Sequence, residues 1–109
     1  MEHEPQPNPI AALNDAFRRA GPTHDWYLTQ GAAALSDRIG LIRAVMTFNE
    51  FTEDNDPWGE HDCAVLTVDG RPIIFKHNYY DRDLQYHSPD AGDPAVTKRV
   101  LTIMLAEEY

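Results

Sequence analysis

The chain has 109 residues, 42% of them hydrophobic and 25% charged, a globular composition with room for one core of ordinary size. Its formal charge of -9, from 18 acidic and 9 basic side chains, argues against a surface built to contact phosphates directly. No apolar run approaches the roughly 20 residues of a membrane span, Met1-Glu2-His3-Glu4 lacks the basic and apolar start of a secretory signal, and the single Cys63 leaves no internal disulfide, so a cytoplasmic protein is expected.

Pro5, Pro7 and Pro9 mark a short flexible arm over residues 1–8, ahead of a single domain over 9–109. Asn8 as cap and Pro9 at the first position predict a helix, with Ile10, Leu13, Phe17 and Ala20 at helical spacing and Gly21-Pro22 as its stop. Trp26–Thr29 reads as a short strand. A second helix is expected from about Ser36, weakened by Gly40 and passing into a strand over about Val45–Phe51. Thr52–Gly59 is a polar loop in which Asn55-Asp56-Pro57 can form a rigid turn without any ligand. Cys63–Val68 and Arg71–Tyr80 flank Asp69-Gly70, the preferred two-residue hairpin turn. Asp81–Gly92 is a second polar connection, with a short extended piece at Leu84-Gln85-Tyr86. Asp93-Pro94 then predicts a last helix with Val96, Val100, Ile103 and Met104 on one face, and Glu107 and Glu108 at the unfavourable end of its dipole. This order predicts an α+β fold, an antiparallel sheet of three to four strands with helices packed on one face.

The charge is uneven. Residues 50–93 hold eleven acids and three bases, and Glu50–Asp62 holds six acids with no Lys or Arg. Hard oxygen ligands beside an imidazole raise the question of a metal. A calcium loop starting at Asp54 fails, because Trp58 and Val65 stand where two ligands are required. His61, His77 and His87 lack zinc-site spacing. Lys76 has Ile74, not an acid, two residues before it, which breaks a metal-nuclease triad. Asp62 beside Cys63 raises the thiol pKa and disfavours a reactive thiolate. What remains as an enzyme reading is a metal-dependent hydrolase or nuclease using Asp54, Asp56, His61 and Asp62, with Asp81 and Asp83 as additions.

Several strings resemble one bacterial family. They are Phe48-x-x-Phe51-Thr52-x-Asp54-Asn55-Asp56-Pro57, Gly59-Glu60-His61-Asp62, Tyr79-Tyr80-Asp81, Ser88-Pro89-Asp90, Asp93-Pro94-Ala95-Val96-Thr97 and Arg99 through Tyr109. The family is the one catalogued as domain of unknown function 3768, and the resemblance runs from about Ile10 onward. Cys63 stands where members typically have an apolar aromatic, and Phe75-Lys76-His77-Asn78 stands where Trp-Lys-Ile-Asp is common. The family carries no assigned activity. Its genes resemble accessory cargo of plasmids, phages and integrative elements in alphaproteobacteria, which implies a part in the contest with host defence.

Size, charge and that resemblance together lead to a non-enzymatic inhibitor, of the anti-CRISPR or anti-restriction kind. Its acidic surface would dock in the basic nucleic-acid channel of a host defence complex. Neither cofactor, metal, membrane nor direct nucleic-acid contact is expected. The residues expected to meet the partner are Glu53, Asp54, Asp56, Trp58, Glu60, Asp62, Tyr80, Asp81 and Asp83. The third reading is a plain interaction module or homodimer using the hairpin edge or Trp58.

Overall fold

The computed structural model describes residues 8–109. Of the arm expected over residues 1–8, only Asn8 lies within them. Its side-chain oxygen accepts the Ile10 N–H at 2.9 Å and caps α1, Pro9–Arg19, as the sequence predicts. Strand β1 spans Trp26–Leu28, and Thr29 then caps the short α2, Gln30–Ala33. Helix α3, Arg38–Thr47, starts at the cap Asp37, whose carboxylate accepts the Gly40 N–H at 2.8 Å. A Cβ at Gly40 would collide with that carboxylate, so the glycine that weakens the helix also leaves space for its cap. The hairpin follows as β2, Cys63–Val68, and β3, Arg71–Tyr80. Asp69 and Gly70 both have positive φ, 53° and 71°, as a type I′ turn requires. Strand β4, Lys98–Leu105, and a single 3-10 turn, Ala106–Glu108, complete the order.

The strands lie in the order β1-β4-β3-β2. Strands β2, β3 and β4 are antiparallel neighbours, and β1 joins β4 in parallel. The fold is therefore α+β with a mostly antiparallel, four-stranded mixed sheet. Ile73, Phe75, Leu101, Ile103 and Leu105 point to one face and meet Leu41 and Val45 of α3, Ala32 of α2 and Phe17 of α1. The other face carries Tyr27, Val65, Ile74, Lys76, Tyr80, Thr102 and Met104, none of them buried. One covered and one open face is normal for antiparallel sheets. No helix among the described residues is long and apolar enough to cross a membrane.

Three expectations are corrected. Residues 98–105 form a strand, not a helix. The apolar positions satisfy helical spacing, but β-branched Val100, Thr102 and Ile103 suit a strand buried between two neighbours, whose apolar run has no clear period. The Asp93-Pro94 signal serves a turn instead: the Asp93 carboxylate accepts the Ala95 N–H at 2.9 Å. Residues 45–51 form no strand, because α3 runs to Thr47 and Phe48 and Phe51 then fold onto Phe75. Glu108 is no dipole misfit. It accepts the Thr29 hydroxyl at 2.6 Å, the Leu105 N–H at 2.8 Å and the Gly31 N–H at 3.0 Å, and these bonds hold its carboxyl below the ordinary pKa.

Candidate functional site

The acidic segment 50–62 is a loop that carries its own framework. Asn55 accepts the Thr52 N–H at 2.7 Å and donates to the Glu50 carbonyl at 2.9 Å. The Asp56 N–H reaches the Thr52 carbonyl at 2.8 Å. Gly59 and His61 then turn the chain with φ of 65° and 55°. The buried Asp56 carboxylate stabilises that turn by accepting the Glu60 N–H at 3.2 Å and the His61 N–H at 3.2–3.3 Å.

The loop is fastened to α1 by a polar chain. The His61 ring stacks on Phe51 with centroids 4.0 Å apart, and its Nδ1 lies 3.0 Å from both oxygens of Asp15. Its Nε2 is 3.7 Å from Asp56. Asp15 also accepts from Arg18 at 3.0 Å, and Arg18 donates to the Phe48 carbonyl at 2.9 Å. The fully buried Arg18 guanidinium lies against the rings of both Phe51 and Phe75, at 5.4 and 5.2 Å from their centroids. Burial opposes ionisation of Asp15, but the hydrogen bonds from His61 and Arg18 outweigh it and hold its pKa below the usual value. Further along α1, buried Asn14 donates to the Glu60 carbonyl at 3.0 Å and the Tyr79 hydroxyl at 2.8 Å, and accepts from Arg99 at 2.6 Å.

The outward side of the loop is a shallow hollow bounded by Phe51, Glu53, Asp56, Trp58 and His61. Trp58 is 82% exposed at its rim. Glu53 and Asp54 are exposed, and Glu60 and Asp62 are half-buried. Partial burial, with Asp62 and Asp56 nearby, raises the Glu60 pKa. Asp56 is the exception in the expected partner-binding set: its carboxylate faces inward onto backbone N–H groups. Tyr80, Asp81 and Asp83 lie outside this loop, at and just after the C-terminal end of β3. There Tyr80 lines a separate recess with Tyr27 and Leu84, and Asp81 accepts the Gln85 N–H at 2.9 Å. The extended piece expected at 84–86 is absent; Leu84 has φ of 59°, and only a bridge between Tyr80 and His87 forms.

The metal reading needs Asp54, Asp56, His61 and Asp62 around one point. Asp56 and Asp15 are instead the carboxylates in contact with His61. Among the described residues no three His, Cys, Asp or Glu side chains are disposed to hold a metal ion. Cys63 is half-buried, and burial together with Asp62 pushes its thiol pKa up, as its sequence neighbours suggest.

The comparison with protein families matches residues 28–108, about three-quarters of the chain, to the family described as Protein of unknown function (DUF3768). The chain belongs to the DUF3768 family. No curated protein and no solved structure matches it significantly. The DUF3768 match begins at Leu28, the last residue of β1, and runs into the final turn, so it includes the acidic loop and leaves out α1.

Sequence reasoning missed Asn14, Asp15, Arg18, His77 and Arg99. The buried stripe of α1 is Ala11, Asn14 and Arg18, rotated from the apolar series Ile10, Leu13, Phe17 and Ala20. The available signal was the tandem Asn14-Asp15-x-x-Arg18, polar residues one helical turn apart in a helix whose other residues before Arg18 are Pro, Ala, Ile, Leu and Phe.

Proposed function

We propose that this DUF3768 protein is a non-catalytic acidic binding protein, which docks on a basic nucleic-acid-handling complex and competes there with the phosphate backbone. The observation that carries this reading is the division of labour within the 50–62 loop. Asn55 and Asp56 spend their polar groups on the loop's own backbone, while Glu53, Asp54 and Trp58 project outward. A preformed acidic surface with an exposed aromatic anchor suits a desolvated contact surrounded by steering charge. It loses little ordering entropy on binding. The finer assignment, inhibition of a restriction or CRISPR complex, is supported by the family's resemblance to mobile-element cargo.

The test is binding of the purified chain to purified restriction and CRISPR nuclease complexes, at low and high salt and with competing DNA. The reading expects capture that salt and DNA both reverse. It also expects loss of capture in a Glu53→Gln/Asp54→Asn variant, and a tenfold or greater weakening in Trp58→Ala with unchanged melting temperature. Capture that survives all three substitutions, or no interference with DNA binding, refutes it.

A further inference from the structure

Strand β2 is the free edge of the sheet. The hairpin register settles which of its backbone groups are unpaired. Asp62 accepts the His77 N–H at 2.7 Å, and Ala64, Leu66 and Val68 lie opposite Phe75, Ile73 and Arg71. In an antiparallel ladder, hydrogen-bonded pairs alternate with non-bonded ones. Residues 62, 64, 66 and 68 therefore direct their backbone groups toward β3. Cys63, Val65 and Thr67 direct theirs away from the sheet, and among the described residues no other segment bonds to them.

Proteins normally guard such an edge with proline, lysine, a bulge or a covering segment. The strand Cys63-Ala64-Val65-Leu66-Thr67-Val68 has none of these within it, and Val65 at its centre is 61% exposed. Beside it α3 presents the small side chains of Ala44 and Thr47, which leave a hollow against Val65–Thr67 rather than a lid.

We propose that this edge pairs with the same edge of a second copy, across a two-fold axis at Val65, to make one continuous eight-stranded sheet. The strand is self-complementary in that register. Val65 lies opposite Val65 of the second copy and Cys63 opposite its Thr67, so the free donors and acceptors of both copies are matched. Each residue meets one on its own face of the sheet, which keeps both helical layers on the same side. With -9 on each copy, repulsion opposes the pairing, so added salt strengthens it. That is the reverse of the salt response expected for a basic partner, and the two readings therefore fail separately.

The experiment is sedimentation equilibrium of the full chain over a wide concentration range, at low and high salt. The wild type should move from monomer mass toward twice that value, at lower concentration when salt is high. Val65→Pro removes only the outward N–H, which edge strands tolerate, and Val65→Lys places like charges on the axis. Both should stay monomeric with near-native melting, and if the proline variant unfolds, the lysine variant still decides the matter. Thr67→Cys gives a positive readout. Cα atoms of a hydrogen-bonded antiparallel pair lie about 5.5 Å apart, within disulfide range, whereas residues 63 and 67 of one strand lie about 13 Å apart. Mild oxidation should therefore yield a covalent dimer in which Cys63 is joined to the introduced thiol. A wild type monomeric at every concentration, dimers that persist in both Val65 variants, or no such crosslink would each overturn the proposal.

Discussion

Lowering the pH from 7.5 to 5 should destabilise this protein through His77. The ring is 2% exposed, packed edge-on against Phe17 and Phe75, and its Nδ1 donates to the Asp62 carbonyl at 2.9 Å. That fixes the neutral tautomer and leaves Nε2 buried without a partner. Burial pushes the pKa from 6.5 down to about 4, with the Asp62 bond opposing and Arg18 and Arg99 assisting. A base whose folded pKa is depressed stabilises the fold above its unfolded pKa, and that stability is lost as pH falls toward the folded value. For pKa values of 6.5 and about 4, the linkage relation gives a loss of about 2 kcal/mol between pH 7.5 and 5. In urea that is a midpoint shift of roughly 1 M. The decisive comparison is with His77→Phe, which keeps a ring between the two phenylalanines. The Asp62 carbonyl keeps the backbone N–H of residue 77 as its donor. Taking the difference between the two proteins cancels the general relief of negative repulsion on acidification. Equal pH slopes for wild type and His77→Phe would refute the argument.

Arg18→Met should cost about 3 kcal/mol in urea unfolding, because it strips Asp15 of the guanidinium that pairs with it at 3.0 Å and takes the cation away from the rings of Phe51 and Phe75. A value near zero would mean that the methionine compensates for the buried charge. Asp56→Ala should cost about 1–2 kcal/mol by freeing the N–H groups of Glu60 and His61, and should raise amide exchange at those two positions specifically. Glu108→Gln should lower the melting temperature at neutral pH and flatten its fall below pH 4.5, since the depressed Glu108 pKa supplies stability that is lost only as the acid protonates.

The local elements with side-chain caps or turn chemistry were legible in the sequence: Asn8-Pro9 opens α1, Asp69-Gly70 closes the hairpin, and the α+β class follows. Residues 98–105 were not, because a strand buried on both flanks has no amphipathic period, and its Val and Ile positions also satisfy helical spacing. The acidic loop was legible as a loop and as the most charged segment. Its inner order was not, since nothing in the string Asp54-Asn55-Asp56 says which carboxylate turns inward. That choice depends on the positive φ of Gly59 and His61 and on α1, some 45 residues earlier, supplying Asp15 and Asn14. Interactions at that sequence separation leave no local pattern.

The placement of β4 between β1 and β3 bears on how the molecule is made. Trp26 pairs with Leu101 and Leu28 with Ile103, so the first strand has no neighbour until the last has been synthesised. The hairpin can form early, from contacts a few residues apart. The sheet itself closes only by a search over some 75 residues, the kind of non-local pairing that slows folding. A growing chain thus holds Trp26 and the inner face of the hairpin uncovered while it is translated. A stop anywhere before residue 98 deletes the middle of the sheet rather than trimming its edge, and leaves β1 and the hairpin with nothing between them.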